Sequence, residues 1–146
     1  MADSPQPEVA PRPRPTPVSG PFWEALAQGR LVLQHCSRCG TWAHYPRLRC
    51  PHCLSDALAW EEVAARGTIY AMTVARTPTA PPFASEVPQV IAVVELPQGV
   101  RMTTTIVGAH GLLPVGTRVT GVFEHGPDGV TMLRFAADSD VETGQG

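Results

Sequence analysis

The chain has 146 residues, 43% hydrophobic and 16% charged, with a formal net charge of −2. That length holds one domain, or one domain with a small appended module. The composition excludes a highly charged disordered chain, the charge balance excludes an overall nucleic-acid footprint, and no apolar run is long enough to span a membrane.

Seven of the sixteen prolines fall within residues 1–21. Near-alternate spacing from Pro11 to Pro17 favours extended polyproline II and cannot build helix or sheet, so residues 1–20 are expected to be a disordered leader. This stretch has no apolar core segment of the kind a secretory signal needs, and the expected compartment is the cytoplasm. Residues 21–28, PFWEALAQ, read as a short helix: Pro21 suits a first turn, Gly29 a stop, and Phe22, Trp23 and Leu26 give an apolar side. All eleven basic residues are arginine, which rules out Schiff-base lysine chemistry and a phosphate-loop lysine.

Next, within 21–63, comes the cysteine-bearing segment. Cys36-Ser-Arg-Cys39 is followed ten residues later by Cys50-Pro-His-Cys53. Each pair brings two thiolates to one tight turn, and a hairpin between them, Gly40–Tyr45 being one of its strands, faces the two turns together. Four sulfurs then surround one tetrahedral ion, for which Zn2+ is the expected occupant; a four-thiolate shell would also accept iron. Cytosolic cysteines in this pattern bind metal rather than form disulfides, and thioredoxin-type redox work uses a single C-x-x-C. Four protein ligands leave no open position, so the metal is expected to be structural. His35, His44 and His52 flank the ligands and are expected to stay outside the shell.

From Gly67 onward the helical period disappears. Thr68–Thr77, Gln89–Leu96, Val100–Val107, Thr117–Glu124 and Val130–Phe135 are five β-rich runs separated by proline and glycine punctuation. Five short strands over residues 64–136 fit a small barrel, most economically an OB-fold, with an SH3-like barrel satisfying the same count. The fold class is therefore mainly β: short helix, zinc ribbon, five-stranded barrel. Residues 137–146 read as a flexible polar tail.

Catalytic machinery is not visible. The cysteines are committed to metal, and no nucleophile elbow, phosphate loop, dinucleotide glycine pattern or zincin helix occurs. His110 and His125 lie in turns, and Glu95 and Glu124 at strand ends, none with an evident partner. For nucleic acid, single-strand binders need a basic groove and stacking aromatics. Residues 66–135 set five arginines against three glutamates and Asp128, so their charges nearly cancel. The ribbon is more basic, with Arg30, Arg38, Arg47 and Arg49 against a lone Asp56 up to residue 60; coenzyme A phosphates or a protein interface would suit these arginines.

The order of features is similar to a known family. Pro21-Phe-Trp-Glu-Ala-Leu26 leads into Leu31-Val-Leu-Gln-His-Cys36-x-x-Cys39-Gly40, then Tyr45-Pro-Arg47, Cys50-Pro-x-Cys53, Trp60 and Arg66-Gly-Thr-Ile-Tyr70. This resembles the acyl-CoA-associated zinc-ribbon/OB-fold family, first known as a domain of unknown function, over about residues 21–136. Pro88-Gln-Val-Ile-Ala-Val-Val-Glu-Leu96 and Leu113-Pro-Val-Gly-Thr-Arg-Val119 are similar to its second and fourth barrel strands. Two departures are Gln89, where an aromatic is common, and the proline-rich leader. The resemblance implies a rubredoxin-like ribbon and a non-catalytic accessory subunit. Its partner would be a thiolase-like acyl-CoA enzyme, such as a thiolase, C-acyltransferase or the aldolase of steroid side-chain breakdown, whose active site and CoA channel it braces. Arg38, Arg47, Arg49 and Phe83 are the expected partner or CoA contacts, Phe83 because it reads as exposed in the loop TPTAPPFASEVP, which is proline-stiffened and long for a hairpin. The competing expectations are a single-strand nucleic-acid binder and a free-standing acyl-CoA-binding enzyme.

Overall fold

A computed structural model describes residues 11–78 and 80–138. In chain order it contains α1 (Gly20–Ala27), β1 (Leu31–Cys36), β2 (Trp42–Ala43), β3 (Leu58–Val63) and β4 (Arg66–Ala75). A 3₁₀ turn (Pro81–Glu86) follows, then β5 (Gln89–Glu95), β6 (Arg101–Ile106), β7 (Arg118–His125) and β8 (Thr131–Ala137). No helix among the described residues is long and apolar enough to cross a membrane.

The helix starts one residue earlier than the sequence suggests. Thr16 and Ser19 bind each other's backbone N–H through their hydroxyls, at 3.1 and 2.9 Å, and wind the chain into a turn before Pro21 enters the first helical turn. It ends as expected at Gly29, whose N–H donates to the Leu26 carbonyl. Phe22, Ala25 and Leu26 form its buried side.

The first sheet has the order β2-β1-β3, with β1 antiparallel to both neighbours. The strand expected over Gly40–Tyr45 shortens to Trp42–Ala43, and the main partner of β1 is β3, paired from Leu31↔Val63 to Cys36↔Leu58. β1 is the central strand, α1 packs against it, and Gln34 is held by the Arg47 backbone. That is why Leu31 to Gln34 are all buried and show no period-two alternation.

The second unit is a closed barrel of order β4-β5-β6-β8-β7, the strand order of an OB-fold. All five expected β runs are its strands, with ends moved by one or two residues. In β5, Val90, Ala92 and Val94 face inward at strict alternation, and the run of inward residues continues with Leu96 beyond the strand's end. A register shift at Tyr70 bends β4 so that it pairs with both β5 and β7. The parallel Ile106↔Phe135 contact of β6 and β8 closes the ring.

Only Ala64 and Ala65 separate β3 from β4. One apolar core runs across both units: Phe22 and Leu26 of α1 and Leu31 and Leu33 of β1 cluster with Ile69, Val119, Phe135 and the other barrel residues. The ribbon is thus seated on the barrel through α1 and the near end of β1.

At the N-terminus, the leader expected over 1–20 needs correcting where it is described. Arg12 is held by the β7–β8 turn: its Nε donates to Asp128 at 2.8 Å and its Nη2 to the Val130 carbonyl at 2.8 Å. Gly126 leaves the space, since a Cβ there would collide with the guanidinium. Gly20 already belongs to α1, and residues 1–10 lie outside the described residues. At the other end Ala137 completes β8 and the Asp138 N–H donates to the Arg118 carbonyl, so the expected tail loses its first two residues to the barrel. Residues 139–146 lie outside the described residues.

Candidate metal centre and its surroundings

Cys36 ends β1, and the chain turns at once. The Gly40 N–H returns to the Cys36 carbonyl at 2.8 Å and the Cys36 N–H takes the Thr41 carbonyl at 2.9 Å. The second pair repeats this pattern: the Leu54 N–H returns to the Cys50 carbonyl at 3.0 Å and the Cys50 N–H takes the Ser55 carbonyl at 2.8 Å. The position after each pair needs a left-handed backbone. Gly40 meets that need freely (φ 79°), whereas Leu54 takes it with a side chain (φ 64°), a strain of roughly 1–3 kcal/mol.

The two turns face one another, and all four sulfurs lie within 4.8 Å of each other. Cys36 Sγ is 3.6 Å from Cys53 Sγ, and Cys39 Sγ is 3.6 Å from Cys50 Sγ. A regular tetrahedron with zinc–sulfur bonds of about 2.3 Å has edges of about 3.8 Å, so the sulfurs already stand at the spacing the ion requires. Their acid–base chemistry agrees. Thr41, through its hydroxyl and then its backbone, holds the Cys39 thiol down to about 6. At Cys53 the backbone N–H of Ser55 lowers the value, but burial and the three neighbouring sulfurs outweigh it and push the thiol up to about 11. Four sulfurs this close cannot all carry charge without a cation among them; a bound divalent ion removes that conflict.

Cys36 and Cys50 are buried, Cys53 is half-buried and Cys39 is exposed, which puts the cluster at the surface. The histidines stay outside it. His35 stacks on Trp42 (centroids 4.0 Å, 7°), with Nδ1 2.8 Å from Glu61 Oε2 and Nε2 3.2 Å from the Gly40 carbonyl. That bracket ties the first turn to β3. His44 packs beside Phe22 and Tyr45, and burial pulls it down to about 4. Gln34, buried in β1, uses its whole amide on the backbone of Arg47, accepting from its N–H and donating to its carbonyl at 2.8 Å each. The brackets made by Gln34 and His35 carry no spacing signature and were not visible in the sequence.

Of the other residues singled out, Arg38, Arg47 and Arg49 all lie exposed on the ribbon around the cluster, and Arg49 Nη1 donates to the Leu54 carbonyl at 3.3 Å. Phe83 is elsewhere, in the 3₁₀ turn of the β4–β5 loop. It is half-buried rather than exposed and lines an open groove of about 570 Å³ with Pro11, Pro13, Ile91, Thr103 and Met132. The carboxylates weighed as catalytic groups are taken: Glu95 by Arg101 and Glu124 by Arg134, each at 3.0 Å. His125 Nδ1 lies 2.8 Å from Thr131 Oγ1, and His110 is exposed in a loop. The barrel's arginines are also partly neutralised, Arg101 by Glu95 and Arg134 by both Glu86 and Glu124.

Comparison with known proteins agrees with this geometry. Residues 23–59 match the family described as "ChsH2, rubredoxin-like zinc ribbon domain", and residues 60–124 match "ChsH2, C-terminal OB-fold domain". With the sulfur cluster, the first match gives the ribbon one structural zinc, which Cys36, Cys39, Cys50 and Cys53 would hold. A "DUF35 domain-containing scaffold protein" of Methanothermobacter thermautotrophicus is 34% identical over 120 residues, covering 77% of this chain and 90% of that protein. A "probable enoyl-CoA hydratase alpha subunit" of Thermomonospora curvata is 45% identical over 101 residues, 66% of this chain; the chain spans only 30% of that relative's length. Among solved structures, a chain of the "Ltp2-ChsH2(DUF35) aldolase" superposes with a TM-score of 0.75 at 35% identity, covering 86% of this chain and 98% of that one. A DUF35-family protein of unknown function from Sulfolobus solfataricus, 19% identical with a TM-score of 0.60 over 84% and 86%, shares the fold.

Proposed function

Because the chain belongs to the DUF35 family of ChsH2-type zinc-ribbon/OB-fold proteins, we propose that it is a non-catalytic accessory subunit of a thiolase-like acyl-CoA enzyme. The observation that carries the reading is the likeness to the Ltp2-ChsH2(DUF35) aldolase chain, which this chain matches over nearly that chain's full length. The chemistry of the site supports it. Zinc, when bound, supplies a fixed cross-link between two turns and no open coordination position. What the chain's own residues do is hold shape: Gln34 fixes the Arg47 backbone and His35 ties Gly40 to Glu61. The nucleophile, the base and the acyl-CoA chemistry then belong to the partner, which this chain completes and braces in the cytoplasm. In this reading Arg38, Arg47 and Arg49 meet the partner or CoA phosphates, and Phe83 lies at the partner or the acyl channel.

Co-expression with a candidate thiolase-like acyl-CoA enzyme from the same organism, followed by size-exclusion chromatography, tests the assignment. Co-elution as one species is expected. Separate elution, with the partner alone soluble and fully active, refutes it.

A further inference from the structure

Among the described residues, Tyr45 and Leu54 are the residues other than glycine that hold a left-handed backbone, each with φ 64°. Both also leave a large apolar side chain in the open, 59% and 69% exposed, and Leu48 between them is 76% exposed. The two metal turns supply an internal control. At the same place in the first turn stands Gly40, with the same backbone bond and no strain. Leu54 therefore carries a strained conformation that glycine would relieve, and its exposed side chain gains no burial in return. The folded chain alone gives no reason for that side chain.

Charge completes the surface. Arg47 and Arg49 lie in the same 45–54 segment and Arg38 on the facing turn. None of the three makes an ion pair among the described residues, a property they share with Arg14, Arg66, Arg76 and Arg118, but these three are gathered on the ribbon beside its exposed apolar side chains. A tyrosine and two leucines interspersed with arginines in one exposed segment and its facing turn have the composition of a protein interface centre, in which aromatic residues and arginine are enriched.

We infer that Tyr45, Leu48 and Leu54, together with Arg38, Arg47 and Arg49, are the surface that docks on the thiolase-like partner. The partner presents an apolar patch edged with carboxylates. This rests on the accessory-subunit reading above and assigns the main docking contact to the ribbon, leaving Phe83 to the acyl channel.

The test uses the full zinc-loaded chain and the thiolase-like enzyme that co-elutes with it in the experiment above. Leu54→Gly is expected to leave the zinc content unchanged and to hold or raise the melting temperature, while weakening the complex at least about tenfold. Arg47→Glu with Arg49→Glu is expected to weaken it by a similar factor and to abolish the loss of affinity that added salt causes in the wild type. Variants that bind within twofold of wild type overturn the inference and leave the accessory reading standing. A lower melting temperature or lost zinc in Leu54→Gly also overturns it, because Leu54 would then serve the fold. Wild type that forms no complex refutes the accessory reading and this surface together. Binding of a labelled single-stranded oligonucleotide that the arginine variant loses would reassign the surface to nucleic acid and overturn the inference.

Discussion

Stripping the metal, by chelator or by Cys50→Ser, should melt the two cysteine turns and leave the barrel folded. Between residues 37 and 57 only Ala43 and Cys50 are buried, so this segment has almost no apolar core. Its order depends on backbone bonds such as Gly40 to Cys36, Leu54 to Cys50 and Ser37 to Ala57, each of about 1 kcal/mol net. Fixing each residue's backbone costs roughly 1–2 kcal/mol. Structural zinc in small modules supplies about 10–16 kcal/mol, as much as the whole stability of many domains, and its loss leaves this segment nothing of comparable size. The other end of β1 is anchored differently. Leu31 and Leu33 are buried in the core shared with Phe22, Leu26 and the barrel, at about 1.5–3 kcal/mol each and independent of metal. The break in cooperativity should therefore fall near Gln34. Hydrogen exchange read by mass spectrometry, with and without chelator, would show it. Peptides holding the Gly40, Cys50 and Leu54 amides should lose protection, while those holding the Val90, Val94 and Phe135 amides keep theirs. Barrel amides that open in step with the turns, or turns that stay protected without metal, would refute this reasoning.

Phe135→Ala removes a fully buried ring where the barrel closes and should cost about 3–5 kcal/mol, read from the shift in denaturant midpoint. Arg12→Ala breaks a partly exposed ion pair and should cost less than about 1 kcal/mol. It should nevertheless speed limited proteolysis within 11–17, because Arg12 ties that stretch to the β7–β8 turn. His44 is neutral in the fold down to about pH 4, whereas in the unfolded chain it takes a proton below about 6.5. Stability should thus fall as pH drops from 6.5 to 4, by about 3 kcal/mol at most. His44→Phe should flatten that part of the curve relative to wild type, as measured by thermal melts across the range.

The parts of this molecule that announce themselves in sequence are those whose physics is local or periodic. Two C-x-x-C pairs specify their own turns, and glycine and proline punctuation divides the barrel into its five strands. The strands β1 and β3 were not legible because their signal is tertiary. Leu31–Gln34 are buried without alternation because α1 packs on β1 and Gln34 is held by the Arg47 backbone, and the partner strand β3 lies on the far side of both cysteine pairs in sequence. Arg12 could not be separated from the proline stretch, since its anchor is Asp128 at the other end of the chain. Phe83 looked exposed because a loop of four prolines says nothing about the 3₁₀ turn that folds it against the barrel. Leu54 was hidden for the opposite reason: its oddity is a backbone angle that appears only beside Gly40.

The most direct test of the accessory role is the partner's turnover of acyl-CoA as the zinc-loaded chain is titrated in, with the chain alone as the control. The account predicts no turnover by the chain alone, and a rise in the partner's rate that saturates at a fixed ratio of the two proteins. Turnover by the isolated chain, or a partner whose rate and solubility are the same without it, would contradict it.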